Sequence, residues 1–209
     1  MVSPRGGRIR QSLRLSEYDY SGPGAYFLTV CVHNRECLFG RVVNGEILLS
    51  RFGEIAHEEW LRSSELRSEI FLDVFVIMPN HLHGIVLIDS DEGRGVIVRE
   101  RAGVGAHGRA PLQGRTRLPQ REKRSLGSFV AGFKSVVTKR VNEIRGFPGR
   151  PLWQRNYFDH IIRTQRALDQ IREYILANPR QWHLDVENPF RVESNRIDAT
   201  HGDPFGCSK

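Results

Sequence analysis

Two histidines, His81 and His83, lie one residue apart in an apolar run from Val76 to Leu87 that is interrupted by a Pro-Asn turn. If the second half of this run is a β-strand, both imidazoles share one face and Leu82 points into the core. Neighbouring imidazoles on a rigid strand can chelate a divalent cation. The spacing alone leaves an alternative open, a partly buried pair whose ring nitrogens are satisfied by the backbone.

A second polar pair, Tyr174 and Asn178, lies near the end of a helix-patterned segment that stops at Pro179. The i, i+4 spacing places both side chains on one helix face, one turn apart. A tyrosine hydroxyl can act as a nucleophile, so this helix offers a chemical partner for the histidines. The alternative is structural, because a tyrosine beside an apolar face commonly packs there and an Asn before Pro commonly ends a helix.

The apolar patterns predict the elements that must position these residues. They predict strands at 25–33, 71–78, 81–89 and 157–163, a hairpin at 37–43 and 46–49 around Asn44-Gly45, and helices at 51–67, 125–145 and 165–178. This order predicts an α+β fold, in which one antiparallel sheet has its helices packed on one face. We expect a ferredoxin-like arrangement with the two histidines on a central strand.

The same patterns predict one domain over residues 25–185. A basic arm precedes it at 1–24, a flexible basic insert rich in Gly, Arg and Pro interrupts it at about 90–123, and a polar tail follows at 186–209. The three cysteines, Cys31, Cys37 and Cys207, are too few and too irregularly spaced to predict a zinc site or a disulfide framework.

Composition favours a soluble, nucleic-acid-binding protein. Among 209 residues 39% are hydrophobic, and no apolar run approaches the length of about 20 residues that crosses a membrane. The basic N-terminus lacks the apolar centre of a signal peptide, so we expect a cytoplasmic, nucleoid-associated protein. The net charge is +7, and basic residues cluster at 5–14, 94–124 and 134–155. One such cluster is typical of a solvated face, but three favour contact with a phosphate backbone.

Five segments in order, GAYFLTVCVHNRECLFG, VFVIMPNHLHGIV, SLGSFVAGFKSVVTKRVNE, WQRNYFDHIIR and EYILANP, resemble one known family. The family is the REP-associated tyrosine transposases, within the single-tyrosine superfamily named HUH after its His-hydrophobic-His motif. The resemblance runs from about residue 13 to residue 182.

This resemblance implies a set of site residues. The His-hydrophobic-His motif corresponds to His81 and His83, which would bind the catalytic metal, Mg²⁺ or Mn²⁺. The nucleophilic tyrosine corresponds to Tyr174, and the third metal ligand four residues later corresponds to Asn178, where other relatives have Gln. Asn is shorter but offers the same carbonyl oxygen.

The resemblance also implies the reaction. The tyrosine would cleave single-stranded DNA next to a hairpin, typically a repetitive extragenic palindrome, and form a covalent 5′-phosphotyrosine with a free 3′-OH. Another 3′-OH could then reverse the step and complete strand transfer. Because a free tyrosine has a pKa near 10, it needs the field of the metal or a nearby base. Asp159 and His160 are candidate helpers, and Tyr157 is a second candidate nucleophile.

The basic residues supply candidate DNA contacts. Phosphate contacts are predicted for Lys134, Lys139, Arg140 and Arg155, and stacking on unpaired bases for Trp153, Tyr157 and Phe158, with core packing as the alternative for these aromatic residues. We expect a monomer or a homodimer without a membrane partner. Two other functions stay open, a hairpin-binding protein that does not cleave DNA and a metal-dependent nuclease that uses water.

Overall fold

The computed structural model describes Tyr20, residues 22–89 and residues 125–191. The predicted insert, nearly all of the predicted N-terminal arm and most of the predicted C-terminal tail therefore lie outside the described residues. Cys207 lies outside them as well.

The described elements confirm the predicted α+β class. In chain order they are β1 (Gly24–Cys31), β2 (Gly40–Val43), β3 (Glu46–Leu49), α1 (Arg51–Glu65), β4 (Ile70–Ile77), β5 (His81–Ile88), α2 (Leu126–Arg145), β6 (Phe158–Ile162) and α3 (Gln165–Ala177). Short 3-10 turns follow β1 at His33–Arg35 and α3 at Trp182–Leu184. The predicted boundaries are accurate to within about three residues.

Four strands form one sheet in the order β4-β5-β1-β6, and each neighbouring pair is antiparallel. Two βαβ crossovers build it, because α1 joins β1 to β4 and α2 lies between β5 and β6. This is the ferredoxin-like order, and β5, which carries both histidines, is a central strand as predicted. The remaining strands, β2 and β3, form the predicted hairpin as a separate two-stranded sheet. Its turn residues Asn44 and Gly45 have φ of 54° and 77°, values that Asn and Gly adopt readily in a tight hairpin turn.

The placement of the helices differs in part from the prediction. Both α1 and α2 pack on one face of the sheet, against Tyr26, Leu28 and Val30 of β1. The opposite face is covered by α3, which packs on Phe27 and Ile85. Helices therefore cover both faces, because β1 is apolar at consecutive positions and each of its two faces needs a covering layer.

Polar contacts fix α3 on the sheet. Thr164 caps its first turn by accepting a hydrogen bond from the Ala167 amide. Arg172 donates from Nη2 and Nε to Asp73 at 2.7 and 3.0 Å. Asp73 lies at an irregularity of β4, between Leu72 and Phe75, where the pairing with β5 shifts register. The bulge thus presents a carboxylate to the helix that carries Tyr174.

Helix length also bears on membranes. No helix within the described segments is both long enough and apolar enough to span a membrane.

Candidate metal centre and tyrosine site

The two histidines share the α3 face of the sheet, as the strand alternation predicts. Their side chains are buried, with 0% and 2% exposed, whereas Leu82 between them packs into the core under α1 and α2. The imidazole centroids are 4.4 Å apart. Strand β5 therefore holds two imidazoles side by side, away from bulk water.

Each imidazole is anchored through its Nδ1 atom. His81 Nδ1 lies 2.9 Å from Asn80 Oδ1, and His83 Nδ1 lies 2.9 Å from Thr29 Oγ1 on the neighbouring strand. A metal-ligating histidine commonly uses one ring nitrogen for such an orienting bond and the other for the ion. This arrangement leaves the two Nε2 atoms as the candidate ligand atoms for an ion.

A carboxylate completes the group. Asp185 Oδ2 lies 3.6 Å from His81 Nε2, and ligand atoms of His81, His83 and Asp185 all lie within 4.8 Å of one another. Asp185 follows the 3-10 turn Trp182–Leu184, well after the predicted motifs end. Sequence reasoning missed it, because an Asp in a polar turn after a helix is typical of local capping and carries no sign of its distant partner.

The donor set fits a divalent cation. Two imidazole nitrogens and a carboxylate oxygen suit first-row divalent ions such as Mn²⁺, and Mg²⁺ can also use such oxygens. Burial, with a smaller contribution from the nearby Arg35 charge, lowers the pKa of His81 to about 3. Burial, with a smaller contribution from His81, also holds the pKa of His83 well below its usual value. Both rings are therefore neutral at pH 7, the state that binds a metal ion.

Tyr174 reaches this group from α3. Its Oη lies 3.4 Å from His83 Nε2, and the two ring centroids are 5.3 Å apart. The edge of the ring packs on Phe27, at a centroid distance of 6.1 Å. The helix thus directs a phenol oxygen at the nitrogen that His83 would offer to an ion.

Asn178 lies one turn further along α3 and is 4% exposed. Within the described residues its buried Oδ1 has no hydrogen-bond partner. Four residues later, the ring of Trp182 lies 6.0 Å from that of His81. In the chain, Asn178 therefore lies midway between Tyr174, which is beside His83, and Trp182, which is beside His81. Its amide oxygen is available there as a candidate ligand.

The sheet separates one predicted helper, His160, from the other helper, Asp159, and from the second candidate nucleophile, Tyr157. His160 is on the face that α3 covers, between Phe158 and Ile162 of β6. Asp159 alternates to the other face, which places it across the sheet from Tyr174. Tyr157 packs against the core under α1 and α2. The structure thus does not bring Asp159 or Tyr157 to the histidine pair.

Three of the predicted DNA contacts are engaged within the protein. Lys134 Nζ donates to the backbone carbonyls of residues 154–156, and burial lowers its pKa to about 8. Arg140 pairs with Glu58 and Glu59 at 2.8 and 2.7 Å. Trp153 is 7% exposed and packs between Phe39 and Phe133, which favours the core-packing alternative for this residue.

The other predicted phosphate contacts, Lys139 and Arg155, are exposed. Both line a broad groove between α2 and the loop before β6. The groove also includes Thr29, which bonds to His83, and Glu187, which follows Asp185 by two residues. A basic surface therefore reaches the edge of the histidine site.

Fold and site together define a class, a ferredoxin-like α+β domain whose central strand presents a buried His-x-His pair to a tyrosine helix. No protein-family model matches the sequence. An uncharacterized protein of Haemophilus influenzae is 38% identical over 182 residues, which cover 84% of this chain and 91% of that protein. The chain belongs to the same family as this Haemophilus influenzae protein.

Two solved structures are similar at much lower sequence identity. One is a REP-associated tyrosine transposase bound to a REP hairpin, with a TM-score of 0.48 and 16% identity, covering 90% of this chain and 98% of that chain. The other is a proposed transposase from Deinococcus radiodurans, with a TM-score of 0.40 and 14% identity, covering 78% of this chain and 95% of that chain.

Proposed function

We propose that this protein is a metal-dependent transposase that cleaves and rejoins single-stranded DNA next to hairpins through Tyr174. The observation that carries the proposal is the 3.4 Å approach of Tyr174 Oη to His83 Nε2, within a buried group that has the donors for a divalent ion. The resemblance of five sequence segments to REP-associated tyrosine transposases supports the same assignment. The metal proposed is Mg²⁺ or Mn²⁺.

His81 and His83 would hold the ion through Nε2. Asp185 is the proposed carboxylate ligand, and Asn178 Oδ1 is a further candidate ligand because it is buried without a partner among the described residues. When bound, the ion supplies Lewis-acid polarisation of the scissile phosphate and a field that favours the phenolate form of a nearby tyrosine.

Tyr174 performs the bond exchange. Its phenol loses a proton, the oxygen attacks phosphorus, and the bond from phosphorus to the 3′ oxygen breaks. The upstream strand leaves with a free 3′-OH, and the downstream strand remains attached through a 5′-phosphotyrosine. Attack by a different 3′-OH reverses the exchange, releases Tyr174 and joins two strands. His160 is the helper candidate that shares the face of Tyr174.

The groove beside the site is the proposed path of the DNA strand. Lys139 and Arg155 project from it and would neutralise phosphates. Thr29 and Glu187 line the same groove and connect it with the metal centre. The strand could therefore pass from the basic surface to Tyr174 without crossing the apolar core.

The test uses a hairpin with a single-stranded flank, labelled at its 3′ end, incubated with protein and Mn²⁺ and separated on a denaturing gel. The label is expected to migrate with the protein, because the downstream strand carries the 5′-phosphate. A label at the 5′ end should instead appear in a free, shortened strand. EDTA should abolish both products.

Matched tyrosine variants complete the test. Tyr174→Phe is expected to form no adduct. Tyr157→Phe, which alters a tyrosine packed under α1 and α2, is expected to form the adduct as the unsubstituted protein does. Free products without an adduct would show a nuclease that uses water. A mobility shift in a native gel, without cleavage products on the denaturing gel, would show a protein that binds DNA and does not cleave it. Either result would overturn the proposed chemistry.

A further inference from the structure

Asn80 is a buried residue with every polar side-chain atom engaged. It is 1% exposed and lies in the turn between β4 and β5, directly before His81. Its Nδ2 donates to the backbone carbonyls of Arg35 at 3.1 Å and Glu187 at 2.6 Å. Its Oδ1 lies 2.9 Å from His81 Nδ1.

These contacts determine which way the amide faces. The carbonyls of Arg35 and Glu187 can only accept hydrogen bonds, so the atom that meets both of them must be the NH2 group. The amide oxygen therefore faces the imidazole. Because this oxygen has no hydrogen to donate, His81 Nδ1 must carry the hydrogen. In a neutral ring the lone pair then lies on Nε2, towards Asp185 and the metal position.

His83 has no equivalent constraint. Its Nδ1 partner is the hydroxyl of Thr29, which can either donate or accept. Tyr174 Oη, near Nε2, has the same freedom. The contacts therefore specify the tautomer of His81 and leave that of His83 adjustable.

Asn80 also fastens the segment that contains Asp185. The Glu187 carbonyl accepts from Asn80, while the Glu187 amide donates to Asp185 Oδ1 at 2.7 Å. The Glu187 carboxylate in turn lies 2.9 Å from Arg35 Nε. One side chain thus links the strand of His81, the turn after β1 and the turn of Asp185.

We propose that Asn80 is a positioning residue of the metal centre, which orders the Nε2 lone pair of His81 and the Asp185 turn for one ion. The proposal rests on the proposed metal site, and it assigns Asn80 no contact with the ion or the DNA. A partner that orients a metal-ligating histidine typically contributes a factor of about 10 to 100 in metal affinity.

Two substitutions separate the two roles. Asn80→Asp keeps an oxygen towards His81 Nδ1 but replaces the donor that holds the two carbonyls. Asn80→Ala removes both interactions. Asn142→Ala is the matched control, since Asn142 is another buried asparagine that donates to a backbone carbonyl, at Arg150.

The first measurement is the tautomer of His81 in the metal-free protein, from long-range ¹H–¹⁵N spectra assigned with His81→Gln. We expect hydrogen on Nδ1 in the unsubstituted protein, Asn80→Asp and Asn142→Ala, and a mixed or reversed tautomer in Asn80→Ala. Hydrogen on Nε2 in the unsubstituted protein would overturn the proposal. So would an unchanged tautomer in Asn80→Ala.

The second measurement is Mn²⁺ affinity by titration calorimetry, with hydrogen exchange of the 185–188 amides. We expect Asn80→Ala to bind Mn²⁺ about 10- to 100-fold more weakly, and both Asn80 variants to exchange faster at 185–188. Equal affinity in Asn80→Ala and the unsubstituted protein would overturn the proposal. If Asn80→Ala does not fold, unchanged hydrogen exchange of the 185–188 amides in Asn80→Asp would overturn the proposal. If the unsubstituted protein binds no Mn²⁺, the metal centre itself fails, an outcome distinct from any change in the variants alone.

Discussion

The two faces of the four-stranded sheet are both covered, but they are built for different purposes. The face under α1 and α2 is an apolar core in which Trp60 lies against Phe129 and Phe133. The face under α3 has a smaller apolar cluster and buries His81 and His83 beside it. One sheet can thus separate an apolar core from a polar site, because alternate residues of the same strands face opposite sides.

The largest predicted effect is the loss of stability from a cavity in the core under α1 and α2. Trp60 is fully buried and also meets Gly84 on β5. We expect Trp60→Ala to lower the free energy of unfolding by about 3–5 kcal/mol, because a large cavity replaces the indole. Urea denaturation in EDTA measures this effect.

His81→Gln combined with His83→Gln is the comparison for the other face. Neither change removes much apolar area, so we expect a clearly smaller loss of stability than for Trp60→Ala. Equal losses from the two faces would contradict the separation of roles.

The next effect concerns the oxygen ligands on the α3 face. Asp185→Asn removes the negative charge that lies near His81, and we expect Mn²⁺ affinity to fall by at least the factor of about 10 that the loss of an orienting partner costs. Asn178→Ala removes a neutral amide oxygen, and we expect a smaller fall. Calorimetric titration ranks the two, and a larger effect at Asn178 would make it the principal oxygen ligand.

The stability of the protein should also depend on pH through buried His81 on the α3 face. The folded pKa of His81 is lowered to about 3, so the unfolded chain takes up a proton below pH 6.5 while the folded chain does not. Its contribution to stability is therefore complete above pH 6.5 and decreases as the pH falls towards 3. At pH 5 the loss is about 2 kcal/mol for this one group.

His81→Gln should remove that share of the pH dependence between pH 7 and 5 in metal-free protein. Denaturant unfolding of both proteins across this range is the measurement. Parallel curves for the two proteins would show that His81 does not have the depressed pKa.

The smallest predicted effects are at the solvent surface of α2. Lys139 is exposed, so Lys139→Ala should change stability by less than about 0.5 kcal/mol. It should weaken single-stranded DNA binding and reduce the salt slope by about one. Arg140→Ala should instead lower stability and leave the salt slope unchanged, because Arg140 already pairs with Glu58 and Glu59. Anisotropy titrations at several salt concentrations distinguish the two, and equal slopes would remove Lys139 from the DNA path.

Local patterns predicted the parts of the site that lie within single elements. The alternation of β5 placed His81 and His83 together, and the helix period placed Tyr174 and Asn178 one turn apart. The covering of both faces was not predicted, although the consecutive apolar residues Ala25 to Leu28 of β1 are the signal of a strand buried on both sides.

Local sequence patterns could not predict contacts between segments that are distant in the chain. Asp185 joins His81 only because the turn after α3 folds back over the start of β5. The internal partners of Lys134 and Arg140 likewise come from other elements, so their charges looked available for DNA in the sequence. Periodicity identifies the face of an element but not the segment that will pack on it.

We propose that Tyr174, beside the histidine pair, forms the covalent bond to DNA. Trypsin cuts after Arg155, Arg163, Arg172 and Arg180, so Tyr157 and Tyr174 fall in separate peptides, NYFDHIIR and EYILANPR. Mass spectrometry of the purified adduct, after nuclease trimming, would locate the phosphonucleotide. We expect it on EYILANPR, and a phosphonucleotide on NYFDHIIR or on any other peptide would contradict the assignment of Tyr174.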